Sequence, residues 1–366
     1  MRNENCELKV STPGRVCLFG EHQDYLNLPI IACAISLRIN IEGIKRKDSL
    51  VNISLPDIND KEEFPINKPL KYGKERDYFK SSINVLKRHG FTFKNGVDCT
   101  VRGNIPINSG TSSSSALIVT WINFLTQMSD QAKVLKPEQI SKYAYEAEVL
   151  EFAEPGGMMD QYSTSIGGII FLESFPKIQV QKINAKLGKF VLGDSEEPKD
   201  TMFILSRVKK QIQKVAKRLE NQYPEFSLQT INECDIDNYS KNLKSEQVEL
   251  LKGTIKNREI TKQAKKVLGT SHVDHRAIGK LLTEHHTVLR DILKISTPKI
   301  EKMIDASLKA GAYGAKINGS GGGGCMFAYA PKNAEKVKEA IEQAGGVAYI
   351  VNADLGTHSN MLEIAQ

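Results

Sequence analysis

Residues 104-NIPINSGTSSSSALIVT-120 put Gly110, Thr111 and a run of four serines directly ahead of an apolar segment. A flexible serine-rich linker would not run straight into an amphipathic helix. Here Leu117, Trp121, Leu125 and Met128 recur at helical spacing, so the serines read as the first turn of a helix that begins at Ser113. The N–H groups of a helix's first turn lack intrahelical partners, and the macrodipole adds roughly half a positive charge there. Gly110 lets the chain turn tightly, and small hydroxylated residues let a ligand reach the backbone. The stretch therefore reads as a site for an anion, phosphate above all. An ordinary serine cap would need one serine, not four.

The nucleotide-binding patterns that most often explain such a loop are missing. GxxxxGK[ST] occurs nowhere, and no HRD or DFG marks a protein kinase. A second glycine tract, 319-GSGGGG-324, formally contains GxGxxG, as any glycine run does. It lies between two expected strands, where it would let backbone pack closely against backbone or ligand.

The rest of the chain alternates strands and helices. Strands are expected within 7–44, a hairpin and loop over 45–76, a helix over 77–90 ending at Gly90, and a strand over 97–103. A helix over 137–152 follows, then a glycine-rich turn leading into a strand over 155–174. Residues 201–205 read as a strand and the segment after them as a basic amphipathic helix. In that helix Val208, Ile212, Val215 and Leu219 form the inner face and the lysines a solvated one. Residues 236–310 read as mainly helical, followed by strand, glycine loop and strand, then a helix over 333–344. A strand, 347-VAYIV-351, is expected to close the chain. The joint between two units, 1–185 and 186–366, is expected within 175–200, where polar residues cluster from Asp194 to Asp200.

The 366 residues suit two domains, with 40% hydrophobic and 25% charged residues, as in a soluble globular protein. The start, MRNENCELKV, has no apolar leader core, and the longest apolar run, 28-LPIIACAISL-37, is too short to span a bilayer. A cytoplasmic protein with no membrane partner is the expectation. A net charge of +7 spread over the chain, with no aromatic-rich RNA-binding signature, argues against nucleic acid. The six cysteines are scattered, with no CxxC pair or zinc spacing, and read as free thiols. His285 and His286 are neighbours in a helical pattern and read as part of a polar face.

Two further clusters carry chemistry. In 13-PGRVCLFGEHQDY-25, Arg15, Glu21, His22 and Asp24 fall around one strand and turn, a set suited to a polyhydroxylated ligand or to a charged surface turn. In 156-GGMMDQY-162, Asp160 is flanked by Met158, Met159 and Tyr162. A carboxylate half-buried in that way has a cationic partner or a catalytic task, and Arg15 is the natural partner. Upstream, Glu146, Glu148 and Glu151 share a helix, and one of them could meet the serine loop at a divalent cation.

These stretches, in this order, resemble the three signatures of the galactokinase, homoserine kinase, mevalonate kinase and phosphomevalonate kinase (GHMP) superfamily, with the closest likeness to galactokinases. The first signature resembles 13–25, the second 106-PINSGTSSSSA-116 and the third 314-GAKINGSGGGGC-325, while 156–162 resembles the family's catalytic aspartate turn and 278–306 its helical pair. The resemblance implies an α+β, two-domain GHMP kinase fold, with an N-terminal domain like ribosomal protein S5 domain 2 and a ferredoxin-like C-terminal one. It implies ATP held on Ser109, Gly110, Thr111, Ser112, Ser113, Ser114 and Ser115 with Gly321 and Gly322, and Mg²⁺ on Ser114 and Glu148. It further implies Asp160 as catalytic acid/base with Arg15 beside it, and a small sugar bound by Glu21, His22, Asp24 and Gly157.

Arginine rather than lysine at position 15 favours a sugar kinase over a mevalonate kinase within that resemblance. Four departures bear on which sugar is taken. Asn27-Leu28 stand where two glycines are usual, and Gly156 where a cysteine is. Lys316 and Asn318 replace arginine and threonine, and 192–201 lacks the usual tyrosine and double arginine. The expected activity is phosphoryl transfer from ATP to a sugar hydroxyl, most simply the anomeric one, by a monomer or homodimer. Kinases of a heptose, a uronic acid, arabinose or mevalonate are the alternatives within enzymes, and a non-catalytic sugar sensor is the alternative outside them.

Overall fold

The computed structural model describes residues 6–107, 109–198 and 201–363. The first unit opens with β1 (Cys6–Phe19), β2 (Ile30–Lys45) and the hairpin β3 (Leu50–Leu55) and β4 (Asp60–Pro65). It continues through α1 (Tyr78–Arg88), β5 (Val97–Gly103), α2 (Ser113–Met128), α3 (Pro137–Tyr145), a π turn over Glu146–Leu150, α4 (Met159–Ile166), β6 (Ile169–Glu173) and β7 (Gln179–Ile183). The second unit holds β8 (Phe190–Asp194), α5 (Thr201–Gln222), α6 (Ile236–Tyr239), α7 (Ser245–Leu268), α8 (His275–Asp291) and α9 (Pro298–Lys309). β9 (Gly314–Ile317), β10 (Cys325–Tyr329), α10 (Ala334–Gln343) and β11 (Val347–Val351) complete it, and β12 (His358–Glu363) comes last in the chain but joins the sheet of the first unit.

Two sheets result, giving the mixed α+β architecture read from the sequence. The first has the order β12-β1-β2-β5-β3-β4, with β6 pairing β2 and β7 pairing β6. The second is antiparallel, β11-β8-β10-β9. β3 and β5 are the parallel pair, with α1 lying between them in sequence.

The helix expected at Ser113 begins there. It is buried all round rather than along one stripe, with Thr120, Asn123, Thr126 and Gln127 enclosed beside its apolar residues, because α2 runs through the middle of the first unit, against β1, β2, α1, α3 and α4. Trp121 is 1% exposed, stacks on Phe124, meets Phe79 edge-on and donates its indole N–H to the Phe79 carbonyl at 3.1 Å. Its burial is worth about 2–3 kcal/mol, and the bond removes the cost of the buried donor. Gly90 follows α1 at φ +86°, where a helix-ending glycine belongs. Asp274 caps α8 by accepting from the N–H groups of Arg276 and Ala277.

Four expectations are corrected. Residues 201–205 are the first turns of α5, not a strand: Ile204 and Leu205 are half-buried and continue the face formed by Val208, Ile212, Val215 and Leu219. A five-residue apolar run has too little period to separate the two structures. α4 is interposed between the 155–157 turn and β6. β11 does not end the fold: β12 follows and hydrogen-bonds to β1, so a strand from beyond residue 186 completes the first sheet. His285 and His286 are buried, not a polar face, because α8 packs on β9 on one side and α7 on the other. The start of the chain and the Lys199-Asp200 end of the expected inter-unit joint lie outside the described residues.

No helix among the described residues is long and apolar enough to cross a membrane.

Candidate active site

Arg15 comes from β1 and Asp160 from the first turn of α4. The guanidinium meets the carboxylate through Nε to Oδ1 at 2.9 Å and Nη2 to Oδ1 and Oδ2 at 2.7 and 2.8 Å. Nη1 donates to the Gly110 carbonyl, and the Arg15 backbone N–H donates to the Thr111 carbonyl at 3.2 Å. Burial works against the Arg15 charge, but Asp160 outweighs it and holds the group above its ordinary range. The pair foreseen from sequence therefore exists, and it is tied to the serine loop.

The pair borders a cavity of about 370 Å³. Gly110 and the helix-start serines Ser112, Ser113, Ser114 and Ser115 form one wall. Ser112 sits at φ +61°, an uncommon and costly conformation for serine, and its buried Oγ has no hydrogen-bond partner. Ser114 Oγ donates to Glu148 Oε1 at 2.7 Å, and Gln161 Nε2 donates to Oε2 at 2.7 Å. Burial nonetheless pushes the Glu148 carboxyl up to about 7, partly offset by these bonds.

Glu21, His22, Asp24 and Gly157 line the same cavity. Burial, with the charge of Asp160 added, raises Asp24 to about 6. Gly157 fits only as glycine: a Cβ there would sit 2.1 Å from Asp24 Oδ2. Glu21 is buried, and its Oε1 accepts from Lys316 Nζ, which also donates to the carbonyls of Cys17 at 3.1 Å and Ile317 at 2.9 Å.

Burial lowers His22 to about 4, with Arg207 and Lys316 adding to it, so the ring is neutral at pH 7. Its Nε2–H then donates to the Ser320 carbonyl at 3.1 Å, and Nδ1 accepts from the Tyr25 hydroxyl at 2.8 Å. An unfolded imidazole protonates near 6.5, so this histidine favours the folded state fully above that pH. Its contribution, about 3 kcal/mol, is lost as pH falls from 6.5 through 4. His22→Asn keeps a residue that tolerates φ +61°. In urea melts at pH 7 and pH 4, the stability gap between wild type and variant should close by about 2–3 kcal/mol on acidification. A gap constant with pH would contradict this.

Four expected nucleotide residues do not line the cavity. Ser109 and Thr111 are buried beneath it, sharing a hydroxyl–hydroxyl bond at 3.0 Å. Gly321 and Gly322 face away, against Ile295 and Ile204. Their role is to seat the loop: all five glycines of 319–324 have positive φ, and Cβ atoms at Gly319 and Gly324 would lie 2.9 and 2.6 Å from the carbonyls of Gly110 and Ser109. The Cys325 N–H donates to the Ser109 carbonyl at 2.7 Å, and Asn318 Nδ2 to that of Gly110 at 2.8 Å. The second unit thus braces the serine loop by hydrogen bonds to the loop's backbone carbonyls, one from backbone and one from the Asn318 side chain.

Sequence reasoning missed Arg76, Tyr78, Glu154, Leu205 and Gln161 on the cavity wall. Arg76 pairs with Glu154 at 2.8 Å, and the Tyr78 hydroxyl joins that carboxylate at 3.2 Å. Nothing in the local pattern marks these three. Gln161 carried a signal, its place next to Asp160 on a helix start.

The descriptor "GHMP kinases N terminal domain" matches residues 77–168, "GHMP kinases C terminal" matches 270–347, and "Galactokinase galactose-binding signature" matches 3–43. A mevalonate kinase of Thermococcus sibiricus is 26% identical over 93% of this chain and 94% of its own length. A galactokinase of Actinobacillus succinogenes is 26% identical over 96% and 94%. In fold, the chain superposes on Lactococcus lactis galactokinase complexed with galactose with a TM-score of 0.84, at 20% identity, covering 96% of this chain and 95% of that one.

Proposed function

We propose that this chain, which belongs to the GHMP kinase superfamily, transfers the γ-phosphoryl group of ATP to a hydroxyl of a small sugar, most simply the anomeric one. Members of that family are ATP-dependent kinases. The observation that carries the reading is the joining of an Arg15–Asp160 pair and an exposed helix start in one cavity. Match of residues 3–43 to a galactose-binding signature, and Asp24 beside Gly157 on the cavity wall, support a polyhydroxylated acceptor. Relatives of mevalonate kinase type support the second reading, mevalonate as acceptor. A binding protein without turnover is disfavoured because the serine loop, Asp160 and Arg15 are all present.

In the proposed reaction, phosphate oxygens rest on the first-turn N–H groups of α2 at Ser113–Ser115. Asp160 accepts the proton of the attacking hydroxyl while Arg15 fixes the carboxylate and faces the transferred group. Charge neutralisation and positioning carry most of such a transfer.

Ser114 Oγ and the Glu148 carboxylate are hard oxygen donors held 2.7 Å apart, which suits Mg²⁺. Such an ion would neutralise charge on the phosphates.

Ser114→Ala should raise the Mg-ATP concentration needed for half-maximal rate by roughly tenfold, with the acceptor KM nearly unchanged. Steady-state titrations of each substrate separate the two; a change confined to the acceptor would misplace the serine. The decisive assay couples ADP release to a panel of hexoses, pentoses, a heptose, uronic acids and mevalonate. Turnover with mevalonate alone selects the second reading, and binding without ADP release selects the sensor.

A further inference from the structure

The wall opposite α2 is built on an irregularity. Over Glu146–Leu150 the helix that α3 begins widens to a π turn, with the Glu151 N–H reaching back to the Glu146 carbonyl at 2.9 Å and the Glu154 N–H to that of Val149 at 2.9 Å. Such turns are rare and recur at functional sites, because they re-aim the side chains they carry. Glu148 is the residue re-aimed: it is buried against Ser114, while Glu151, three residues on, faces outward to Tyr72 and Arg88.

The turn is pinned from two sides. From α1, the buried Ser81 hydroxyl donates to the Ala147 carbonyl at 2.8 Å, at the centre of the widened turn. From α4, Gln161 Nε2 donates to Glu148 Oε2 at 2.7 Å, and the Gln161 Oε1 atom is buried with no partner of its own. A buried amide that leaves half its hydrogen-bonding capacity unmet gains little for the fold, so its orientation serves the one bond it makes. That bond fixes which carboxylate oxygen meets Ser114.

We infer that Gln161, with Ser81 behind the turn, is a positioning residue that aims Glu148 at a divalent cation shared with the nucleotide phosphates. The inference rests on the kinase reading above. It makes the residue after the proposed catalytic carboxylate the support of the metal site, so one helix turn sets both. Partners of this kind, which orient a metal ligand without touching the metal, typically govern affinity by 10–100-fold.

The test uses the full chain, Mn²⁺ as the ion and ADP as the nucleotide. Mn²⁺ affinity in the presence of ADP is measured by electron paramagnetic resonance, and ADP affinity without metal by calorimetry. Gln161→Met, of similar length but with no donor, should weaken Mn²⁺ binding by about tenfold or more, leave metal-free ADP affinity within twofold, and recover its turnover at saturating Mg²⁺. A merely structural role would not be repaired by metal. Ser81→Ala, which frees the turn from the other side, should weaken Mn²⁺ several-fold and serves as the deciding variant if Gln161→Met does not fold. Unchanged Mn²⁺ affinity in the folded variant overturns the inference. Failure of wild type itself to bind Mn²⁺ with ADP overturns instead the kinase reading on which it stands.

Discussion

Asp160→Asn should lower turnover by about a thousandfold while leaving nucleotide affinity within a few-fold, the size expected when a positioned proton acceptor is removed. Asparagine has nearly the same shape and keeps one oxygen for the Arg15 fork, which now makes three close contacts with the carboxylate. It cannot take a proton from an attacking hydroxyl. Both residues line the cavity, and with 29% of its side chain exposed against 4% for Arg15 the carboxylate is the more accessible of the two. ADP release at saturating substrates gives turnover, and calorimetry with ADP gives binding. Turnover at the wild-type level would remove Asp160 from the chemistry. Asp24, the neighbouring carboxyl with a pKa of about 6, would then be the next group to replace.

Lys316→Met should cost about 3–5 kcal/mol of stability, because it strands a carboxylate that has no other cationic counter-ion in contact among the described residues. Glu21 is 1% exposed. Its Oε1 meets Lys316, while Oε2 has no hydrogen-bond partner and lies 3.7 Å from His285 Nδ1. His285 offers no replacement charge: burial, reinforced by Lys316 and His286, holds it well below its ordinary range and so neutral. Removing the carboxylate as well, in Glu21→Gln with Lys316→Met, should return most of the loss, since a buried pair replaced by neutral groups is close to neutral in energy. Urea melts of wild type, the single and the double variants measure this directly. A single variant within about 1 kcal/mol of wild type would mean that the Lys316–Glu21 contact contributes little to the fold.

The parts legible in sequence were those fixed by local chemistry. A serine run entering an apolar helical repeat marks an exposed helix start wherever the chain goes. Arg15 and Asp160, 145 residues apart, could be paired on residue type and burial alone. The glycine tract was readable as a place of close backbone approach, and its partner proved to be the serine loop itself.

What escaped was set by packing. His285 and His286 point in different directions, yet both are buried, one stacked on Phe19 and one bonded to Glu301, because α8 has neighbours on two sides. The π turn has no signal in a run such as EAEVL, and the side chain that meets it, Ser81, comes from another helix. β12, HSNMLE, has only two apolar residues, Met361 and Leu362, both exposed, and is a strand because β1 offers it an open edge. Arg76 and Glu154 become neighbours only once α1 lies beside the end of the π turn.

That last strand has a consequence for how the chain is made. Thr12 and Thr357 share a hydroxyl bond across 345 residues of sequence, and the backbone around 354–357 grips the C-terminal end of α4 through Gly168 N–H to the Asp354 carbonyl and Thr357 N–H to that of Ser165. During synthesis the outer edge of β1 therefore stays open on the ribosome until nearly the whole of the second unit has emerged, an interval in which chaperones or self-association compete for it. The helix that carries Asp160 is fastened at its far end only at that late moment, so the Arg15–Asp160 pair gains its last structural support when the final strand docks.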